Sequence, residues 1–324
     1  MNVLFSSIQE PRPGDKWKWL SNQLWPSYET WFLKEGADAR PKFLACERAL
    51  RAHMPELMPT YERLAELAGG GDIEARFLSL YCPTPYLTGC SQAVWKRDQP
   101  RLVRNYDYNP DMWEGVLLHT EWNGRKVIAM SDCLWGVLDG INDAGLAVSL
   151  SFGGRKAVGE GFGIPLILRY ILEFCETTPE AQKVLSRVPS HMSYNVTLLD
   201  ARGRHRTIFV APDRVPIITS KHLATNHQEQ VEWHEHAIAT ASVDRAHFLA
   251  LRLEDPHETA DRFTARFLEP PLYSKRFDHG WGTLYSAAYD PTRRSATLMW
   301  PTYRLVQTID EFVEGSLEIH YRAG

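Results

Sequence analysis

The chain has 324 residues, with 36 Lys and Arg against 40 Asp and Glu, and 44% of its residues are hydrophobic. This is the composition of an ordinary globular protein, and its near balance of charge argues against a nucleic-acid partner. No run approaches the roughly 18 uncharged apolar residues of a membrane-spanning helix, so no membrane partner is expected either.

The first 80 residues are predicted to be mainly helical. Apolar residues recur at three-to-four spacing in three stretches, which are residues 25–34, 41–52 and 57–67. Further on, Pro83 and Pro85 push the residues before them out of helical geometry. An extended stretch therefore leads to Thr88-Gly89-Cys90.

From Cys90 onward the pattern becomes rich in strands. Strands are predicted at residues 91–95, 101–108, 115–122, 126–130, 135–141, 146–152, 194–199, 206–210, 215–219, 283–289, 295–300 and 304–309. Helices are predicted at residues 165–176, from residue 178, and at residues 243–253 and 257–267. This order lacks the regular βαβ alternation of a parallel sheet. It indicates an α+β protein in which stacked antiparallel sheets are covered by helices.

The cysteines are odd in number and show no C-x-x-C pair; they are Cys46, Cys82, Cys90, Cys133 and Cys175. This pattern fits a reducing compartment better than a disulfide framework. We therefore expect a cytoplasmic protein in which most cysteines pack as small apolar residues. Cys90 is the exception, because of the residues around it.

Cys90 follows a glycine directly, and an Arg-Asn-Tyr-Asp run lies at residues 104–107. If Cys90 became a chain N-terminus, its thiol would be the nucleophile and its α-amine, which titrates at roughly 7.7–8.0, the base. Arg104 would favour the thiolate, and Asp107 could hold the amine. Because Gly89 has no Cβ, the sulfur could reach the carbonyl before it. However, Arg104 and Asp107 are three residues apart on a predicted strand, so they face opposite sides unless a bulge intervenes.

Four short segments share their order and spacing with a known family: Gly89-Cys90, Arg104-Asn105-Tyr106-Asp107, residues 139–146, and Ala224-Thr225-Asn226-His227. Together they resemble the N-terminal-nucleophile hydrolases. The closest group is the acyl-coenzyme A:6-aminopenicillanic acid acyltransferase-like proteins, related to choloylglycine hydrolases and penicillin V acylases. The resemblance covers most of the chain after about Phe77.

The resemblance implies a four-layer αββα sandwich with two antiparallel sheets. Residues 1–89 would be a helical pro-segment, and residues 90–324 the catalytic domain. It also implies self-cleavage between Gly89 and Cys90, after which Cys90 is the nucleophile and amine base. The cleaved pro-segment is expected to stay bound, because its departure would leave apolar faces bare.

The resemblance also implies roles for later residues. Arg104 and Asp107 would support the thiol and the amine. Asn226 would donate its side-chain amide to the oxyanion, with a backbone N–H near Ser151 as the second donor. Ser151 stands where bile-salt enzymes place an Asn, and Arg245 matches the family's later active-site arginine. Without the resemblance, Asn226 would be interpreted as a turn residue and Arg245 as a solvated helix residue.

The predicted activity is cleavage of a small-molecule linear amide through a Cys90 thioester, with water as the acceptor and an apolar acyl group. Neither a cofactor nor a metal is predicted, and self-association as a homo-oligomer stays open. The histidines at 222, 227, 234 and 236 lack the H-E-x-x-H spacing, although His234 and His236 would share a face of an extended segment. Two alternatives are a papain-like hydrolase that pairs Cys90 with His227 without processing, and a non-catalytic binding protein with the same fold.

Overall fold

The computed structural model describes residues 2–321. In its first half the strands are β1 (Asn2–Glu10), β2 (Gly89–Trp95), β3 (Arg101–Tyr108), β4 (Val116–Thr120), β5 (Val127–Asp132), β6 (Gly136–Asn142) and β7 (Ala147–Phe152). The later strands are β8 (Tyr194–Leu199), β9 (His205–Ala211), β10 (Arg214–Thr219), β11 (Leu223–Ala224), β12 (Gly282–Asp290), β13 (Ser295–Trp300), β14 (Tyr303–Thr308) and β15 (Gly315–His320). The helices are α1 (Asp15–Phe32), α2 (Phe43–His53), α3 (Met58–Leu67), α4 (Asp72–Leu78), α5 (Ile164–Phe174), α6 (Thr178–Arg187), α7 (His234–Ala239), α8 (Ser242–Glu254) and α9 (Ala260–Ala265).

The strands form two sheets. The larger sheet has the order β10-β9-β8-β7-β6-β5-β4-β1-β15, and the smaller has the order β11-β2-β3-β12-β13-β14. Neighbouring strands run antiparallel, except that β1 and β4 are parallel. The sheets stack through β2 and β3 against β7 and β8. Helices α5 and α6 cover the outer face of the larger sheet, and α8 packs on β2 and β11 of the smaller one. The expected αββα sandwich is therefore confirmed.

Burial on both faces explains the composition of the central strands. Every residue of β2, β3, β6, β7 and β8 is buried, because each strand has the other sheet on one side and helices on the other. On the helix side of the smaller sheet, Trp95 stacks on Phe263 of α9 with ring centroids 5.1 Å apart. The start of α6 is set by a capping box between Thr177 and Glu180, with a proline in the first turn.

The prediction of a mainly helical first segment missed a strand at its start. Residues 2–10 form β1, which pairs with β4 on one side and with β15 on the other. The partners of β1 are residues 116–120 and 315–320, more than a hundred residues away along the chain. Such a pairing leaves no local signal in the sequence, and β15 went unpredicted for the same reason.

The first 89 residues also share the hydrophobic core with the rest of the chain. The rings of Trp25, Tyr28 and Phe32 in α1 pack on Phe77 of α4. The Trp135 indole donates to the carbonyl of Leu78, which joins α4 to the residues after Cys90. Among residues 2–321, no helix is long and apolar enough to cross a membrane.

Candidate active site

Cys90 lies on β2, next to β3, where it is the register partner of Tyr106. Its side chain is 0% exposed and points into the space between the two sheets. The Arg104 Nη2 atom donates to the Cys90 sulfur at 3.2 Å, and the sulfur lies 3.7 Å from Thr88 Oγ1. The structure thus brings Cys90 and Arg104 into direct contact, as the sequence predicted.

Arg104 is held from the opposite sheet. Its Nη1 atom donates to Asp139 Oδ2 at 2.6 Å and to the carbonyl of Leu138 at 2.9 Å, both on β6. Asp139 also accepts hydrogen bonds from the hydroxyls of Tyr285 and Tyr289 on β12. Burial opposes the charge on Arg104, but Tyr285 and Asp139 outweigh it and raise the pKa of the guanidinium above its ordinary value.

Asp107 lies on the other face of β3, toward the helices. Its Oδ2 atom is 3.1 Å from Arg245 Nη1, and Thr283 donates to its Oδ1 atom at 2.7 Å. Strand alternation therefore separates Asp107 from Arg104, because the bulge in this region is on β12, between Thr283 and Tyr285, and not on β3. Burial raises the pKa of Asp107, while Arg245 and the Thr283 hydrogen bond lower it.

Asn226 follows β11 and touches the peptide bond before Cys90. Its Oδ1 atom accepts from the Cys90 backbone N–H at 3.0 Å and from Arg245 Nη2 at 2.7 Å. Its Nδ2 atom donates to the carbonyls of Thr88 at 3.3 Å and Phe152 at 3.2 Å. Two donors on one side and two acceptors on the other fix the orientation of the amide. Asn226 and Arg245 thus join the Cys90 cluster, as predicted.

Two further residues hold Asn226 in place, and the sequence interpretation missed both. Ser242, the first residue of α8, accepts from the Asn226 backbone N–H at 2.8 Å. Gly154 has φ +68, and a Cβ there would lie 2.2 Å from the Asn226 carbonyl oxygen. The paired glycines after β7 were the available signal for this close approach.

Ser151, on β7, contacts the segment that leads into Asn226. Its hydroxyl donates to the carbonyl of Thr225 at 2.7 Å and accepts from Gln92 and Asn195 at 3.4 and 3.2 Å. These bonds connect β7 to the residue before Asn226, so the side chain positions that segment. A backbone N–H near Ser151 as an oxyanion donor stays a prediction.

Position 89 has no room for a side chain, which explains the glycine there. A Cβ at this position would lie 2.4 Å from the Trp281 ring and 3.2 Å from Asp107 Cβ. Its φ is outside the left-handed region, so conformational freedom is not the reason for glycine. A larger residue would displace the chain immediately before Cys90.

The surroundings of Cys90 favour the neutral form of its thiol. Burial raises its pKa, and this outweighs the lowering by Arg104 and Arg245. Asp107 raises the pKa further. Arg104 therefore reduces the cost of forming a thiolate here without making it the resting state.

A cavity of about 130 Å³ lies at the boundary between the first 89 residues and the rest. Its aromatic walls come from both sides of that boundary: Tyr28, Trp31, Tyr86, Tyr108 and Trp113. Tyr108 is two residues from Tyr106 on the same face of β3, and their ring centroids are 5.8 Å apart. Tyr106 is the register partner of Cys90, so this ring contact connects the cavity wall to the strand pair that carries Cys90.

A pair of carboxyl groups, Glu114 and Asp132, lies in the wall of this cavity. The Tyr28 hydroxyl is 2.6 Å from Glu114 Oε1 and 3.5 Å from Asp132 Oδ1, and the Tyr86 hydroxyl is 3.4 Å from Asp132 Oδ2. Burial, with the charge of Glu114 beside it, raises the pKa of Asp132 to about 7.

His234 and His236 lie on the helix α7, so they do not share a face as they would in an extended segment. The His236 ring packs against Phe152 and Trp233, and burial lowers its pKa to about 4. The His227 Nδ1 atom is 2.8 Å from Ser242 Oγ and 3.3 Å from Thr225 Oγ1, whereas the side chains in contact with the Cys90 sulfur are those of Arg104 and Thr88. Across residues 2–321, no three His, Cys, Asp or Glu side chains converge to hold a metal ion.

Two stacked sheets covered by helices on both sides define the architecture of the N-terminal-nucleophile hydrolases. The sequence model of one such family, acyl-coenzyme A:6-aminopenicillanic acid acyl-transferase, matches residues 95–304, and the chain belongs to that family. This membership confirms the predicted class, an enzyme that hydrolyses amides or transfers acyl groups. The match includes Arg104, Asp107, Asn226 and Arg245, and it begins after Cys90.

Solved structures with a related fold are more distant. Penicillin V acylase from Agrobacterium tumefaciens is 18% identical over 67% of this chain and 84% of its own, with a TM-score of 0.43. An N-acylethanolamine-hydrolyzing acid amidase ortholog from Caenorhabditis elegans is 16% identical over 71% of this chain and 100% of its own, with a TM-score of 0.48. A mutant conjugated bile acid hydrolase from Clostridium perfringens is 10% identical over 72% and 97%, with a TM-score of 0.41. No curated protein sequence is significantly similar to the chain.

Proposed function

We propose that this protein is a self-processing cysteine amidohydrolase that cleaves a linear amide through a thioester on Cys90. The observation that carries the proposal is the set of contacts at one peptide bond. The Cys90 sulfur is 3.2 Å from Arg104, and the Cys90 backbone N–H donates to Asn226 at 3.0 Å. A nucleophile, a cation and an amide group therefore surround the Gly89–Cys90 bond.

Self-cleavage follows from this arrangement. The thiol adds to the Gly89 carbonyl carbon, its proton passes to the peptide nitrogen, and the C–N bond breaks to give a thioester and a free α-amine. Water then hydrolyses the thioester, leaving a carboxylate on Gly89 and a free thiol on Cys90. The products are residues 1–89 and residues 90–324, joined by the larger sheet and the shared core.

In the mature enzyme the amine of Cys90 acts as the base. It would lie beside Asn226 Oδ1, where the Arg245 guanidinium also donates at 2.7 Å. A neighbouring cation lowers the pKa of an amine, so the amine is kept neutral and able to accept the thiol proton. Asn226 Nδ2, which now donates to Thr88, becomes available to a substrate oxyanion once that residue moves.

The substrate is a small amide with an apolar acyl group. The aromatic cavity beside Tyr106 and Tyr108 supports this, because ligand sites are mostly apolar with a few polar groups. Water is the acceptor, which makes the enzyme a hydrolase. The position of His227 against Ser242 favours this scheme over a papain-like pair.

The intact mass of the purified protein tests the processing step. We expect the wild-type chain to give two pieces, residues 1–89 and 90–324, that elute together under native conditions. Cys90→Ala should remain one chain, because it has no nucleophile. If both proteins remain full length under conditions in which the enzyme is active, the proposal is wrong.

Hydroxylamine tests the thioester in the mature enzyme. It should divert the acyl group to a hydroxamate at the expense of the acid, and rapid acid quench should trap acyl mass on Cys90. If no acyl mass appears on the protein and the added nucleophile never changes the product, water attacks the substrate directly.

A further inference from the structure

Asp139 and Arg104 form an ion pair that joins the two sheets. Asp139 lies on β6 of the larger sheet, and Arg104 lies on β3 of the smaller one. Both side chains are 0% exposed, and Asp139 Oδ2 is 2.6 Å from Arg104 Nη1. A buried pair of this kind is costly to assemble unless hydrogen bonds satisfy both groups, so its geometry is fixed.

The guanidinium of Arg104 divides its contacts between the two sheets. Its Nη1 atom donates to Asp139 and to the Leu138 carbonyl, whereas its Nη2 atom donates to the Cys90 sulfur. Because the guanidinium is planar and rigid, fixing Nη1 also fixes Nη2. Asp139 thus determines where the cation stands relative to the sulfur.

Asp139 is itself held in place. The Tyr285 hydroxyl donates to its Oδ2 atom and the Tyr289 hydroxyl to its Oδ1 atom, both from β12 of the smaller sheet. The carboxylate therefore has three charge-assisted partners, all of them buried. Rotation of this carboxylate would break at least one of these bonds.

We propose that Asp139 is a positioning residue of the Cys90 site: it holds Arg104 at the sulfur both for self-cleavage and for attack on substrate. It acts through Arg104, because its own partners are Arg104, Tyr285 and Tyr289. The assignment rests on the proposed function of Cys90 and adds a residue that the sequence interpretation gave no role.

Asp139→Asn tests the assignment, because it removes the charge and keeps the size of the side chain. In Asp139→Asn, the pH profile of Cys90 labelling with iodoacetamide, measured by mass from about pH 6 to about pH 10, should shift upward by about one pH unit because Arg104 no longer stays at the sulfur; loss of the Asp139 charge alone would shift the profile downward. Self-cleavage should slow about tenfold at neutral pH, which is the same shift expressed as a rate. Asp143→Asn is the matched control: it breaks a partly exposed ion pair with Arg125 and should leave the profile unchanged.

Tyr289→Phe provides a second variant that keeps the ion pair and the ring. It removes one hydroxyl from Asp139, so we expect a smaller shift in the same direction. If Asp139→Asn does not fold, the pH profiles of Cys90 labelling in Tyr289→Phe and Tyr285→Phe test the assignment instead. A wild-type profile in folded Asp139→Asn, or in both tyrosine variants, would overturn the assignment.

The same data separate this assignment from the proposed function. If wild-type protein cleaves and labels at Cys90 but folded Asp139→Asn behaves identically, only the role of Asp139 is wrong. If wild-type protein neither cleaves nor labels at Cys90, the proposed function is wrong and the assignment falls with it.

Discussion

The protein buries carboxyl groups in two neighbouring regions and satisfies them in different ways. Around Cys90, each buried aspartate faces an arginine, either Arg104 or Arg245. In the aromatic cavity, Glu114 and Asp132 face tyrosine hydroxyls, and within residues 2–321 neither forms an ion pair with Lys or Arg.

The difference shows where the molecule keeps fixed charge. Next to the sulfur, arginines and aspartates compensate one another, so charge can remain buried and act on the thiol. In the cavity, burial raises the pKa of both Glu114 and Asp132, and within residues 2–321 no Lys or Arg pairs with either group to offset this. Under the proposed function, the first region would stabilise charge during the reaction, and the second would bind a ligand of low charge.

Breaking the Arg104 ion pair should have the largest effect. Arg104→Ala leaves Asp139 buried without its cation, so we expect the free energy of unfolding to fall by about 3–5 kcal/mol in urea. The pKa of the Cys90 thiol should also rise, which slows its alkylation. Arg101→Ala, on the same strand but paired with the exposed Asp261, should cost only about 0–1 kcal/mol. Similar losses in the two variants would contradict this account.

Removing the amide of Asn226 should affect turnover more than thiol reactivity. In Asn226→Ala we expect turnover of processed enzyme to fall about 10²–10³-fold, because the oxyanion loses a donor. The alkylation rate of Cys90 should change little, since Arg104 remains on the sulfur. Asn105→Ala removes another buried amide, which bonds the carbonyls of Phe267 and Leu272, and serves as the control. Slower alkylation in Asn226→Ala than in Arg104→Ala would reverse these roles.

Asp132, in the wall of the aromatic cavity, should have a smaller effect on the free energy of unfolding, and this effect should depend on pH. The folded pKa of Asp132 is raised to about 7, so between about pH 4 and pH 7 the unfolded chain loses a proton that the folded chain keeps. Wild-type stability should therefore fall across this window relative to Asp132→Asn, by on the order of 1–3 kcal/mol. Urea unfolding at several pH values measures this, with Asp111→Asn at the cavity rim as the control. A constant difference between wild type and Asp132→Asn would show that the group titrates normally.

The sequence predicted the strands and helices that have local signals. The bounds of β3, β8 and β13 agree with the prediction, and the capped start of α6 was visible in Thr177, Pro179 and Glu180. β1 was missed because its partners are far away in the chain, and nothing in residues 2–10 indicates them.

The sequence named several candidate residues of the site but not the contacts that connect them. Cys90 and Arg104 followed from spacing and chemistry, whereas Asn226 and Arg245 depended on the resemblance to a family. Asp139 lay inside a quoted motif, yet its contact with Arg104 exists only because β6 stacks on β3. Contacts between two sheets depend on how the sheets are stacked, which spacing within one strand cannot reveal.

The position of β1 has a consequence for the molecularity of folding. β1 precedes the proposed cleavage point, and it is hydrogen-bonded on both sides to strands that follow that point. Unfolding a cut molecule would release two polypeptides, and refolding would then be a second-order encounter between them. The thermal midpoint of cut protein would rise with protein concentration, whereas that of the uncut Cys90→Ala chain would not. Once diluted apart, the two pieces would recover the native sheet only as fast as they meet.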